Sequence, residues 1–390
     1  MSVETTPRTR AAVSCKHFGQ CGGCDLLDLP YGKEIGEKAS FVDELFAPVM
    51  GGRSAVFHAA KQPLFYRSKL KVAFANTADT LIGGFYRRGT HKVQNVRQCR
   101  IQEPELLKVL ETVRRHARLL NLRGYSEGTG RGILRHLVAR RALSGQILAG
   151  VVVRRSGEKK VRQLAEAVFS ALQPEGLVGV IENHNPKEGN RILGRQERTL
   201  EGVDRLQETW RGLEIETGLA SFFQAHRTQA DLMYDLVLEE LGELEGQHIA
   251  DVYAGWGPMS LLLAKAGARV SAVENERRAV ADGRANAERN GLADRRQFLE
   301  SDAAAGIGAL TESSPPDAVI LDPPRAGLDP TMITHLTRGA VRRIVYVSCN
   351  PRALLRDVES LSIRYRLSQL QTVDLFPRTE HLELVATLDA

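Results

Sequence analysis

The sequence predicts an α/β protein in two parts: an α+β domain over residues 1–212 and a doubly wound, Rossmann-like domain over 213–390. Three observations carry this expectation. At 390 residues the chain is longer than one ordinary hydrophobic core supports. Charge divides at the same place: residues 1–212 hold 35 Lys and Arg against 21 Asp and Glu, whereas 213–390 hold 18 against 26. The hydrophobic rhythm also changes after Gly212, from strands and helices with no βαβ order to regular alternation of the two.

Taken in order, Lys33–Phe46 has helical spacing, and a helix near residues 31–50 could pack on either domain. From Phe65 to Gln98 the text is strand-like, with Gly83-Gly84 as turn punctuation between runs. Pro104–Leu122 predicts a helix begun by its proline. Strands over ILRHLVARRAL and GQILAGVVVRR, a helix over VRQLAEAVFSAL and a strand over GLVGVIENH follow. In the second part, HIADVYAG, VSAVE, QFLESDA, DAVILDPP, RIVYVSCNP and HLELVATL read as strands, with helices over MSLLLAKAG and RAVADGRANAERNGL.

Composition excludes several classes. No apolar run approaches the roughly 20 residues of a membrane span, so no membrane partner is expected. The start, MSVETTPRTRAAV, has no apolar core of a secretory leader, and the cytoplasm is the expected compartment. The basic first part suits a polyanion such as RNA, the partner expected here, and no obligate protein partner is evident. Four of the five cysteines, Cys15, Cys21, Cys24 and Cys99, lie in the first 99 residues. In a chain of this length their C-x5-C-x2-C cluster points to a metal or cluster site rather than a disulfide scaffold.

In a doubly wound sheet, ligands bind at the carboxyl ends of the strands. The first such end is Asp251-Val252-Tyr253-Ala254-Gly255-Trp256-Gly257, and Glu274 ends the next strand, placed to accept ribose hydroxyls. Ser260 stands where a dinucleotide fingerprint has its third glycine, which favours a phosphate-free cofactor such as S-adenosylmethionine. Asp302 follows the third strand, where an adenine amine is commonly held. Asp322-Pro323-Pro324-Arg325 ends the fourth, and its prolines stiffen the loop that carries Asp322. The fifth delivers Ser348-Cys349-Asn350-Pro351 to the same edge. A strand-end cysteine is commonly inert packing. Beside a methyl-donor cleft it gains a chemical role, because a thiolate that adds to C6 of uracil makes C5 nucleophilic.

With these residues in place the chain resembles the class I uridine-C5 RNA methyltransferases, the TrmA/RlmC/RlmD group. The resemblance rests on Cys15 and Cys21-Gly22-Gly23-Cys24, Tyr66-Arg67-Ser68-Lys69, Leu134-Arg135-His136-Leu137, Asn185-Pro186, Ser221-Phe222-Phe223-Gln224, Asp322-Pro323-Pro324-Arg325, Ser348-Cys349-Asn350 and Phe376-Pro377 with His381-Leu382-Glu383. It implies a class I methyltransferase domain beside an iron–sulfur-containing RNA-binding domain. Cys349 matches the nucleophile and Glu383 the base that removes the C5 proton. Gln224, Tyr253, Glu274, Asp302 and Asp322 match cofactor-binding positions, and Cys15, Cys21, Cys24 and Cys99 match the ligands of a [4Fe–4S] cluster. Those cysteines, with only 14 residues before Cys15, resemble the RlmC type, which implies a uridine of 23S ribosomal RNA as target.

The sequence departs from the family at four points: Pro258 in the cofactor loop, Tyr253 for Phe, His226 for Asn, and Arg378 for His in the Phe-Pro-His-Thr segment. The basic and aromatic residues Tyr66, Arg67, Lys69, Lys71, Phe85, Tyr86, Arg87, Arg88, His91 and Lys92 are candidates for RNA contact. Two other readings fit the same text: a tRNA uridine-C5 methyltransferase, and a non-catalytic RNA-binding iron–sulfur protein.

Overall fold

The computed structural model describes residues 13–77 and 80–390, so most of the stretch read for a leader lies outside the described residues. The chain forms two compact units. One joins Pro30–Lys61 to Phe222–Ala390, and the other joins the described residues of Ala12–Leu29 to Gln62–Ser221. Among the described residues the two units therefore alternate in sequence, each being assembled from two separate stretches of chain.

The Rossmann-like unit runs α1 (Tyr31–Met50), β1 (Val56–His58), α2 (Arg227–Leu241), β2 (His248–Val252), α3 (Pro258–Lys265), β3 (Arg269–Glu274), α4 (Arg277–Arg289), β4 (Arg296–Glu300), α5 (Ala303–Ser313), β5 (Ala318–Leu321), α6 (Pro330–Arg338), β6 (Arg343–Ser348), α7 (Pro351–Leu361), β7 (Arg366–Val373) and β8 (Glu383–Asp389). Its eight strands lie in the order β1-β7-β8-β6-β5-β2-β3-β4. Neighbours from β6 through β5, β2 and β3 to β4 are parallel, whereas β8 is antiparallel to both β6 and β7. Because β8 is reversed, its first residue, Glu383, stands at the edge where the parallel strands end. The chain order reverses between β2 and β5, which opens a crevice at their carboxyl ends.

Helix α1 shows how one ridge can serve two ends. Its buried residues Tyr31, Glu34, Lys38, Val42, Phe46 and Met50 are spaced three or four apart, as one helical face requires. Val42, Phe46 and Met50 join the core beside Leu354, Val358 and Leu370, where each apolar side chain contributes about 1.5–3 kcal/mol. Tyr31, Glu34 and Lys38 instead enter a closed polar network. Lys38 Nζ donates to Glu34 Oε1 at 2.9 Å and to Asp374 Oδ1 at 2.8 Å, and the Tyr31 hydroxyl donates to Asp374 Oδ2 at 2.6 Å. Arg378 Nη1 lies 3.3 Å from Glu34 Oε2. Such pairs add little net stability when intact, but losing one partner costs about 3–5 kcal/mol.

The basic unit is built on a seven-stranded sheet. Its order is Val93–Asn95, Leu81–Tyr86, Lys69–Asn76, Leu134–Arg141, Ile147–Val153, Leu177–His184 and Gln196–Gly202. Helices Pro104–Leu119 and Lys159–Leu172 cover one face through Leu106, Leu110, Leu164 and Val168. Two details differ from the sequence reading. Ile147–Val153 and Leu177–His184 are parallel neighbours joined through the helix Lys159–Leu172, so the unit does contain one βαβ crossover. Gly83-Gly84 lies inside the strand Leu81–Tyr86 instead of punctuating a turn. A Cβ on Gly84 would come within 1.9 Å of the Gln94 carbonyl, and one on Gly83 within 3.0 Å of Leu110. Close approach, not chain reversal, requires these glycines.

Among the described residues no helix is long and apolar enough to cross a membrane.

Candidate active site

The carboxyl edge of the Rossmann-like sheet gathers residues from six strand ends. Tyr253 follows β2, Glu274 ends β3, Asp302 follows β4, Asp322 follows β5, Cys349 follows β6 and Glu383 opens β8. The register fixes their neighbourhood: Val252 is opposite Leu321, Glu274 opposite Glu300, and Ser348 opposite Leu384. Glu383 is itself opposite Val373.

On the cofactor side the loop after β2 turns on left-handed backbone. Gly255 and Gly257 have φ of 59° and 73°, and Tyr253 has φ of 65° despite its side chain, an uncommon conformation kept only where the surroundings hold it. Glu274 provides that hold. Its Oε2 accepts the Gly255 N–H at 2.9 Å and its Oε1 the Glu276 N–H at 2.6 Å. No atom lies within 4 Å of where a Cβ on Gly255 would stand, so the backbone there is open to close approach by a ligand. Tyr253 is half-buried, and burial together with Asp302, Asp329 and Asp357 raises its phenol to about 12.

The segment 222–224 is tied to this loop. Trp256 Nε1 donates to the Phe222 carbonyl at 2.6 Å, and the Phe223 and Trp256 rings stack at 5.7 Å. Gln224, buried, is thereby carried beside the loop. Asp302 caps α5, its Oδ1 accepting the Ala304 N–H at 3.0 Å. That bond gives Asp302 a structural duty, yet the side chain stays exposed at the strand ends.

On the other side, Asp322, Cys349, Glu383 and Arg325 share one electrostatic neighbourhood. Asp322 is reached by water but walled by protein, and loss of hydration, followed by the Asp251 carboxylate, raises its carboxyl. Glu383 is buried, 3% exposed. Burial first, then the Asp322 charge, raises its carboxyl well above the ordinary carboxylate range, while Arg325 opposes the shift. Burial likewise raises the half-buried Cys349 thiol, with Glu383 and Asp322 adding and Arg325 opposing. Asn350 links the two loops, its Nδ2 donating to the Arg325 carbonyl at 2.8 Å while its Oδ1 caps α7. A thiol, a hard-to-ionise carboxyl and a cation within mutual reach suit nucleophilic addition followed by proton transfer.

The sequence expectations for Cys349, Glu383, Asp322, Tyr253, Glu274, Asp302 and Gln224 thus fall in one unit, at strand ends or on the loop tied to them. The sequence missed Arg325 as a charge partner, although its place after the stiffened Asp-Pro-Pro was visible. It also missed the burial of Arg378, which the structure places completely inside, against Glu34.

In the basic unit, Cys15, Cys21, Cys24 and Cys99 line one cavity, and all four are free thiols. Among the described residues no group of three or more His, Cys, Asp and Glu converges on a single metal-ion position. Burial raises the Cys21 and Cys99 thiols, while the Gly23 backbone N–H opposes the shift at Cys21 and those of Ile101 and Gln102 oppose it at Cys99. The RNA candidates divide. Tyr66 is buried at 5% exposure, so it is not placed to stack a base, and Phe85 packs against the core. Tyr86, Arg87, Arg88, His91 and Lys92 are exposed.

Comparison with known proteins gives this arrangement its context. A family described as tRNA (Uracil-5-)-methyltransferase matches residues 307–390, and a methyltransferase small domain matches 221–345. An uncharacterized RNA methyltransferase of Leptospira interrogans is 32% identical, over 96% of this chain and 97% of its own length. Another, from Halalkalibacterium halodurans, is 32% identical over 99% of this chain and 85% of its own. The tRNA (uracil-54, C5)-methyltransferase of Pyrococcus abyssi, solved with S-adenosyl-L-homocysteine, is similar in fold. Its TM-score is 0.78 at 24% identity, covering 96% of this chain and 86% of that one. With these relatives along nearly its whole length and a class I methyltransferase fold, the chain belongs to the S-adenosylmethionine-dependent RNA (uracil-5)-methyltransferase family.

Proposed function

We propose that this protein methylates C5 of a uridine in 23S ribosomal RNA, with Cys349 as covalent nucleophile and Glu383 as the base. The observation that carries the reading is the meeting of Cys349, Glu383, Asp322 and Arg325 at one sheet edge. S-adenosylmethionine, when bound, supplies an electrophilic methyl group. The loop 253–257, Glu274, Asp302 and Gln224 would hold it, with the Glu274 carboxylate toward the ribose hydroxyls. The Cys349 thiolate adds to C6 and shifts the C5–C6 π pair toward C5 and O4. C5 then takes the methyl group as the bond from that group to the sulfonium sulfur breaks and S-adenosylhomocysteine leaves, and Glu383 removes the C5 proton. The C5–H electron pair then re-forms the C5–C6 double bond, and the C6–S bond breaks to return the thiolate. Asp322 and Arg325 would hold the polar edge of the uracil.

Glu274 yields a direct check on the cofactor half. Glu274→Ala removes an acceptor of two backbone N–H groups and the proposed ribose contact, and is expected to weaken S-adenosylmethionine binding about 10- to 100-fold. Isothermal titration measures it, and unchanged affinity would remove Glu274 from the cofactor site.

The cysteine quartet supports the ribosomal target, since the resemblance associates such a quartet with the ribosomal-RNA branch. We assign it a [4Fe–4S] cluster with one thiolate per iron. The donor set fits: four free thiols on one cavity, with amide donors toward two of them and Arg67 near Cys24 and Cys99. The expected finding is iron and acid-labile sulfide at four each per chain in protein purified without oxygen. A preparation with active methylation and zinc in place of iron would overturn the assignment.

RNA would be engaged by a cationic row in the basic unit. Lys69 and Lys71 share a strand face, and Arg140 is directly opposite Lys69. Burial, then the charge of Arg140, lowers the ammonium pKa of both lysines, and the exposed Lys71, Arg87, Arg88 and Lys92 would be the cations that meet the phosphates. The overall function is tested by mass spectrometry of 23S ribosomal RNA and tRNA from cells lacking the protein. Loss of one 5-methyluridine from 23S RNA is expected. Loss from tRNA alone would transfer the assignment to tRNA, and no loss from either would end it.

A further inference from the structure

We propose that the buried Glu34–Arg378 and Lys38–Asp374 pairs are a positioning device that sets the Glu383 carboxylate against the C5 proton. The inference rests on Glu383 being the base, as proposed above. Its starting point is the segment between β7 and β8, residues 374–382, which ends on Glu383. Helix α1 grips this segment at two points. At its foot, Asp374 follows Val373, the register partner of Glu383, and is held by Lys38 at 2.8 Å and Tyr31 at 2.6 Å. At its middle, Glu34 takes the Arg378 backbone N–H at 2.7 Å through Oε1 and the guanidinium through Oε2 at 3.3 Å. Arg378 has φ of 70°, left-handed backbone that a residue with a side chain keeps only when held. The Arg378 guanidinium also lies over the Tyr31 ring, 5.0 Å from its centroid.

A role limited to holding α1 in place accounts poorly for this. Val42, Phe46 and Met50 already anchor the helix in the core, and apolar residues of similar size would serve stability as well as buried ion pairs do. Buried pairs differ in specifying geometry. Here two carboxylates and two cations, all at most 5% exposed, fix the few residues that lead into the base. Downstream of the grip, the Thr379 hydroxyl donates to the Phe376 carbonyl at 2.7 Å and accepts the His381 N–H at 3.2 Å. The chain between Arg378 and Glu383 is therefore tied to itself as well as to α1. Arg378 thus acts through the loop and touches no reacting atom.

The two half-reactions separate this role from general destabilisation. Forming the methylated covalent adduct needs Cys349, whereas its release needs Glu383. Glu34→Gln and Arg378→Lys, in the full chain, are expected to form adduct within about twofold of the parent rate per competent molecule and to release product about 10- to 100-fold more slowly. The experiment uses methyl-labelled S-adenosylmethionine and a 23S fragment in single turnover. Gel-stable protein–RNA adduct and free methylated RNA are both counted over time. Each rate is taken per molecule that reacts, so a partly unfolded preparation lowers amplitude and leaves the ratio intact. Glu34→Asp, which keeps the charge, should recover part of the release rate. Equal slowing of both steps, or none in either, overturns the positioning role. Glu383→Gln is run beside them: if it accumulates no adduct, the base assignment itself falls, and the positioning proposal with it.

Discussion

Cys349→Ala is expected to lower methylation of RNA by about 10,000-fold or more, because removing a covalent nucleophile removes the step that makes C5 reactive. Binding of S-adenosylmethionine should be little changed, since the loop 253–257 and Glu274 do not use the thiol. A second readout isolates the covalent step. RNA bearing 5-fluorouridine should form a denaturation-stable adduct with the parent protein, because fluorine cannot leave C5 as a proton. The Cys349→Ala protein should form none. Residual methylation within tenfold of the parent would remove Cys349 from the mechanism. The thiol is raised by burial and by its carboxylate neighbours, so its thiolate fraction grows as pH rises. Adduct formation should therefore increase with pH through the neutral range, and a rate that falls with rising pH would contradict thiolate attack.

Glu383→Gln should produce the opposite picture on the same gel. Methyl transfer precedes proton removal, so adduct should accumulate with ordinary uridine RNA while turnover drops about 100- to 10,000-fold, the range for loss of a general base. The amide is nearly isosteric, which matters because Glu383 begins a buried strand paired on both sides. The raised carboxyl of Glu383 has its own consequence. Proton abstraction needs the carboxylate, and burial with Asp322 nearby makes that form harder to reach than in water. It is in turn a stronger base once formed. Release should accordingly slow as pH falls through the raised value. Unmodified RNA that never becomes trapped by Glu383→Gln would assign proton removal to another group.

Much of the site was legible because a doubly wound sheet converts sequence order into spatial order. Each hydrophobic run ends at one edge, and the residue that follows it, Tyr253, Asp322 or Cys349, must stand there. What stayed hidden depends on distant partners. β7, over RLSQLQTV, alternates only weakly, and its pairing with Val56–His58 joins residues more than 300 apart in the chain. No local pattern announces such a pairing. Gly83 and Gly84 read as a turn because a glycine pair is a local signal, whereas Gln94 and Leu110, the reasons for them, are not local. Arg378 read as a departure in a catalytic segment. Only the arrival of Glu34 from the first helix reveals what it does.

The placement of β8 also governs when the protein can become competent. β8 follows β6 and β7 in sequence but lies between them in the sheet, so neither can complete its pairing until β8 slides into the gap. Glu383 enters with that strand. Closing the gap in the sheet and placing the carboxyl beside the thiol are thus one event, made by pairings within the last 48 residues of the chain. A partly folded molecule would carry a cysteine but no base beside it. The topology thereby keeps the reactive pair from existing before the structure that controls it.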